Sequence, residues 1–141
     1  MQWYLKVVRD NYANFDGRAR RMEYWMFELI NLILIVALGI VWAIVSAVTR
    51  SAGLTILFIA LYCLYALAMI IPSLAVSVRR MHDTGRSGWW LLINFVPFIG
   101  GIWFLVLTIL DGDPGNNAYG PSPKAAPVVG PVANTPGLGA R

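Results

Sequence analysis

Arg79-Arg80-Met81-His82-Asp83-Thr84-Gly85-Arg86-Ser87-Gly88-Trp89-Trp90 is the only strongly polar stretch within the most hydrophobic part of the chain. One uncharged run ends at Val78 and another restarts at Trp89. Three arginines lie between them, and two tryptophans mark the restart. The stretch reads as a short loop at a membrane surface. Indole rings favour the boundary between water and lipid, and arginine is costly deeper in. The loop sets the threading of everything on either side.

Composition supports that reading. Of 141 residues, 58% are hydrophobic and 13% charged, against about 25% charged in a soluble domain. A chain this apolar cannot cover its surface in water. The single cysteine, Cys63, excludes an intrachain disulfide framework and any multi-cysteine metal site. The first uncharged run starts after Glu28 and exceeds the roughly 7–15 residues of a signal-peptide core. Translocation is therefore expected to begin at an uncleaved first helix.

Working outward, Leu29–Thr49, Ser51–Val78 and Trp89–Leu110 carry no charge except at their borders. Each is long enough to cross about 30 Å of hydrocarbon at about 1.5 Å per residue. The expected fold is all-α: an integral membrane helical bundle with three transmembrane helices near residues 26–49, 54–78 and 89–110. Pro72 should kink its helix or end it early. Pro97 with Gly100-Gly101 predicts a bend or a close helix contact in the third run. Asp111-Gly112-Asp113-Pro114-Gly115-Asn116-Asn117 is dense in turn formers and ends it.

Before the first run, Met1, Tyr4, Leu5, Val8 and Tyr12 share one face at about 100° per residue, with Lys6, Arg9 and Asp10 opposite. This pattern predicts an N-terminal interfacial amphipathic helix. Asp16 is placed to cap the helix that follows. The membrane domain spans residues 1–120, and the Pro/Gly/Ala-rich residues 121–141 read as a disordered tail, since they offer little apolar surface to offset ordering entropy.

Lysine and arginine placement sets orientation. Lys6, Arg9, Arg18, Arg20 and Arg21 precede span one, and Arg79, Arg80 and Arg86 follow span two. With three crossings these share a side, facing Arg50 and Lys124 on the other. The N-terminus is expected in the cytoplasm and the C-terminus outside, in the periplasm.

Two blocks carry a resemblance. One is Phe15-x-Gly17-Arg18-x-x-Arg21-x-Glu23-x-Trp25-x-Phe27. The other is the opening stretch, Arg79-Arg80-x-His82-Asp83-x-Gly85-x-Ser87-Gly88-Trp89-Trp90, followed by Pro97 and Gly100. With Gly115-x-Asn117-x-Tyr119-Gly120, they resemble the small bacterial inner-membrane proteins of the domain of unknown function 805, YhaH-like family, over roughly residues 1–121. The resemblance implies a multi-span inner-membrane protein. It brings no activity, cofactor or catalytic residue. Glu28 and the Pro-rich tail fall outside the matched pattern.

Candidate site residues follow from charge inside an apolar frame. Arg18, Arg21, Arg79, Arg80 and Arg86 either set topology alone or contact an anionic headgroup or ligand, at about 1 kcal/mol per residue near an anionic leaflet. A carboxylate at the mouth of a span needs a partner, so Glu23 is expected either to pair with Arg79, Arg80 or Arg86 or to be satisfied locally. His82 and Asp83 form an acid–base pair or, more simply, a turn; His82 is the only histidine and offers no multi-histidine metal site. Asn31 and Asn94 are placed for hydrogen bonds between helices or, in an oligomer, for lining a pore.

No catalytic residue, metal site or cofactor is expected. The chain reads as a non-enzymatic structural or partner-binding component of the inner membrane. The alternatives are anionic lipid or ligand binding at a basic cytoplasmic face, and a subunit of an oligomeric channel or transporter. Its expected partners are membrane lipid and a membrane protein or a second copy, with no role for nucleic acid.

Overall fold

The computed structural model describes residues 2–124. The tail expected to be disordered lies outside the described residues from residue 125 on, as does Met1. Among the described residues the chain is helical and has no strands. Two long apolar helices carry the fold, and a shorter apolar third element packs beside them.

The N-terminal segment is helical, as an α-turn α1 (Gln2–Leu5) that continues as a π-helical segment (Lys6–Asp10). Tyr4 stacks on Phe27 with ring centroids 5.7 Å apart, and Val7 is fully buried while Leu5 is half exposed. The face expected at α-helical spacing included Leu5 and not Val7. The wider π winding closes i to i+5 and so changes which residues line up.

Residues 11–20 follow without regular structure. Asp16 does not cap the next helix; α2 (Arg21–Thr49) begins later, with Arg20 as its extended first flank. Gly17 has φ +79°, in the left-handed region.

α2 has 29 residues and α3 (Ala52–Asp83) has 32, so each exceeds the roughly 20 needed to cross. Arg50, at φ 48°, ends α2, and Ser51 starts α3 by accepting a bond from the Leu54 N–H. α3 neither stops at Pro72 nor leaves the freed carbonyl bare. Proline removes the bond normally made to the carbonyl four residues earlier, which is that of Ala68, and the Tyr12 hydroxyl donates to that oxygen. Midway along the pair, the Tyr65 hydroxyl donates to Asn31 Oδ1 at 2.6 Å. The apolar flanks are exposed, from Leu29 to Val48 on α2 and from Leu54 to Leu74 on α3. Such flanks suit lipid, with every backbone bond made inside the helix.

The stretch expected as a loop is helical in its first half. α3 runs on through Arg79, Arg80, Met81 and His82, and the turn is confined to residues 84–87, with Gly85 at φ +70°.

The third run is a 3-10 helix (Gly88–Phe95), a turn with Phe98 at φ 67°, and α4 (Gly100–Ile109). Both ends of this run lie at one end of the α2–α3 pair. Gly88 packs against the Val78 side chain, and Arg80 donates to the carbonyls of Thr108 and Leu110. Eight residues at about 2.0 Å and ten at about 1.5 Å each give some 15 Å, about half the hydrocarbon thickness. The chain after this run lies beside Arg18 in the structure. Arg18 donates to the Gly115 carbonyl at 2.7 Å. The bend expected near Pro97 is a reversal of direction.

The reversal depends on a close approach. A Cβ on Gly100 would lie 1.9 Å from the Ile93 carbonyl oxygen, whereas one on Gly101 would meet nothing within 4 Å. Gly100→Ala should therefore lower stability by about 1–3 kcal/mol, read as a fall in melting temperature in nonionic detergent. Gly101→Ala should melt like the parent protein. Equal behaviour of the two variants would mean that the turn is built differently.

Candidate functional site

Of the polar residues singled out from sequence, Arg18, Glu23, Arg79, Arg80, His82 and Asp83 gather where α2 begins and α3 ends. Their burial is high for charged groups: Glu23 and Arg80 are 0% exposed, and Arg79 and Asp83 2%. Water is excluded there by a small core of Val7, Ala19, Tyr24, Phe27 and Val76, flanked by Phe104.

Each of the two buried carboxylates sits between two cations. Glu23 Oε1 accepts from Arg79 Nη1 at 2.6 Å, and its Oε2 from Lys6 Nζ at 2.7 Å. Asp83 Oδ1 accepts from Arg18 Nε at 3.0 Å, and its Oδ2 from Arg80 Nη1. Attraction in such surroundings offsets the loss of hydration only when the remaining donors are also satisfied.

Backbone carbonyls supply most of those partners. Arg18 donates to the carbonyls of Asp83, Asp113, Gly115 and Gly120. Arg80 donates to those of Ala19, Thr108 and Leu110. The Nε and Nη2 edge of Arg79 is buried without a partner among the described residues.

His82 and Asp83 face different neighbours. The His82 ring lies flat on Tyr119, with centroids 3.8 Å apart at 4°, and its Nδ1 is 3.2 Å from the Gly17 carbonyl. Asp83 is taken up by two arginines. The geometry of an imidazole oriented by a carboxylate is therefore not formed by this pair.

The remaining candidates are elsewhere. Arg21 is part-exposed, pairs with Asp111 at 2.7 Å and donates to the Ile109 carbonyl. Lys124 also donates to Asp111 and holds that exposed carboxyl below the usual carboxylate range. Arg86 lies over the Trp90 ring at 5.8 Å. Asn31 is bonded to Tyr65 inside the helix pair. Asn94 lines a separate cleft, so the two asparagines do not meet in one polar path. Among the described residues no three His, Cys, Asp or Glu side chains gather to hold a metal.

Several contributors escaped the sequence reading. Lys6 was placed on a solvent face, and Thr108 within an apolar run. The block Gly115 to Gly120 was noticed only as turn formers and as part of the resemblance. In the structure Asn117 Nδ2 donates to the His82 carbonyl at 2.9 Å, and Asp113 N–H to the Asp83 carbonyl at 2.8 Å. Gly112 lies so close that an added Cβ would meet Asp83 Oδ2 at 2.0 Å. All three blocks that carry the resemblance thus interlock at one place.

Comparison with known proteins agrees with this assembly. The family described as "Protein of unknown function (DUF805)" matches residues 12–121. Inner membrane protein YhaI of Escherichia coli (strain K12) is 48% identical over 88% of this chain and 97% of its own length. Inner membrane protein YhaH of the same strain is 44% identical over 90% of this chain and 100% of its own length. A more distant relative, uncharacterized protein YiiR of that strain, is 28% identical over 76% of this chain and 84% of its own. No solved structure matches. An integral membrane protein with two long apolar helices and the three interlocking blocks, this chain belongs to the DUF805 family of bacterial inner-membrane proteins.

Proposed function

We propose that the chain is a non-enzymatic structural component of the inner membrane, a two-crossing scaffold that offers its apolar flanks to a membrane partner or a second copy. One observation carries this reading. Arg18, Arg79 and Arg80 point inward to Glu23, Asp83 and backbone carbonyls. These three arginines hold the chain together, and of their donors the Nε–Nη2 edge of Arg79 is buried without a partner among the described residues. Non-covalent partners in lipid pack by close van der Waals contact and occasional hydrogen bonds, for which the long exposed flanks of α2 and α3 provide the surface.

The same contacts support a proposed orientation. Lys6, Arg9, Arg18, Arg20, Arg21, Arg79, Arg80 and Arg86 share one end, and Lys124 joins them through Asp111 and Arg21. Among the described residues Arg50 is the cation at the other end. The cation bias puts the crowded end in the cytoplasm, together with both the N-terminal flank and residues 111–124. This orientation differs from the external C-terminal placement expected from three crossings, and the contacts of residues 110–120 with Arg18 and Arg80 support it.

A second reading is favoured by the exposed cations alone. Arg20 lies 5.9 Å from the Trp3 ring and Arg86 5.8 Å from that of Trp90, which is the layer where indoles meet headgroups. Anionic lipid would touch Arg20, Arg21 and Arg86, and leave Arg18, Arg79 and Arg80 out.

Three measurements test these statements. Asp83→Asn leaves Arg18 and Arg80 without their shared counter-charge and should cost about 3–5 kcal/mol of stability, seen as a large drop in melting temperature in detergent. A drop no larger than that of an exposed control such as Asp16→Asn would remove the clamp from the account. A reporter active only in the cytoplasm should work when fused after Lys124 and fail when inserted at Ser51; the opposite pattern would reverse the orientation. Native mass spectrometry from gentle detergent should recover one defined partner or a dimer. Retention of anionic lipid that vanishes in an Arg20/Arg21/Arg86→Gln variant, with no protein partner, would favour the second reading instead.

A further inference from the structure

α2 carries two carboxylates near its start, and their surroundings differ. Glu23 is held by Lys6 and Arg79. Glu28, seven residues after Arg21 and so about 10 Å along the helix axis, has no ion pair or hydrogen bond among the described residues. It is half-buried and lies on the wall of a cleft of about 600 Å³ between α2, α3 and the 3-10 helix. A volume of this order is typical of small-molecule sites, which span about 300–1,000 Å³.

The lining has a definite chemistry. Ser73 and Ser77 on α3 and Asn94 on the 3-10 helix bring oxygen acceptors to the same cleft as Glu28. Trp89 and Phe104 bring aromatic rings. No lysine, arginine or histidine lines it. The site therefore has one unpaired carboxyl group, neutral acceptors and π faces. An ammonium group answers each of these: it bears the charge opposite to a carboxylate, carries N–H donors for the oxygens, and is attracted to ring faces.

The position supplies the rest of the ligand. The cleft opens among exposed apolar side chains, Leu74, Leu92 and Phe95, about two turns into a helix long enough to cross a bilayer. A cation held here must carry an apolar body that stays in the lipid. A lone carboxylate at this depth is costly, and a cation arriving from the bilayer relieves that cost. We propose that the cleft binds the ammonium group of a membrane amphiphile, with Glu28 as its counter-ion. The ammonium belongs either to an ethanolamine-type lipid headgroup or to a free long-chain amine. This site is independent of the Asp83 clamp and opposite in sign to the anionic-headgroup reading.

The test uses the full chain in nonionic detergent, with adducts read by native mass spectrometry. The probes are phosphatidylethanolamine, phosphatidylglycerol and dodecylamine. The protein should retain phosphatidylethanolamine or dodecylamine over phosphatidylglycerol, and Glu28→Gln should weaken that retention about tenfold, which is about 1.4 kcal/mol. Glu28→Asp should restore part of it. Retention of the lipid identifies a headgroup ligand, and retention of dodecylamine alone identifies a free amine. Equal retention by Glu28→Gln and the parent protein overturns the proposal, as does a parent protein that prefers phosphatidylglycerol. Should Glu28→Gln fail to fold, Asn94→Leu decides. Its amide is exposed, so the variant should melt normally and hold the ammonium probes less well; unchanged retention overturns the proposal.

Discussion

Two carboxylates, Glu23 and Asp83, each held between two cations in a place without water, organise the molecule. Their partners come from separate parts of the chain. Lys6 belongs to the N-terminal helical segment, Arg18 to the irregular stretch, and Arg79 and Arg80 to the end of α3. No one of these segments can bury its charge alone, because an isolated ion in a low dielectric is strongly disfavoured. Each segment is therefore stable only when the others are in place. Assembly at this end of the helix pair is cooperative for an electrostatic reason, with the small apolar core of Val7, Phe27 and Val76 sealing it from solvent.

The same end receives the third element. Helix ends inside a protein leave carbonyls that need donors. The last carbonyls of α4 find them in side chains of α2 and α3: Thr108 accepts from Arg80 and Trp25, Ile109 from Arg21, and Leu110 from Arg80. An apolar run that stopped halfway into lipid would otherwise be unstable, since lipid offers no donors. Its return to the arginine end is thus tied to the presence of the arginines, and the reversal at residues 96–99 follows from where the donors are.

Much of this was legible in the sequence. Uncharged runs gave α2 and α3, because lipid demands continuous apolarity whatever the tertiary arrangement. Tyr4 and Val8 gave the N-terminal helix, although not the π winding that substitutes Val7 for Leu5. The third run was legible as apolar and helical and as bent at Pro97, but not as returning. Hydropathy measures depth and is blind to direction, so a full crossing and a half-depth hairpin of Trp89–Leu110 look alike. Arg18, Arg79 and Arg80 were legible as candidate headgroup contacts, and Glu23 and Asp83 as members of a separate polar network. Whether the arginines face lipid or protein was not, because charge alone does not say which way a side chain turns. The decisive partners of Arg18 and Arg80 are backbone oxygens, which no side-chain pattern records.

Those oxygens explain why arginine, and not lysine, stands at positions 18 and 80. Arg80 reaches Asp83, Ala19, Thr108 and Leu110 at once, and Arg18 reaches Asp83, Asp113, Gly115 and Gly120. A guanidinium spreads five donors over a rigid plane, so one charge can reach four residues from separate parts of the chain while its counter-ion occupies a single edge. A lysine ammonium has three donors converging on one atom and holds its hydration more tightly. It would neutralise Asp83 and still leave carbonyls of α4 bare. The geometry of the donor, more than its charge, is what fastens the third element to the first two.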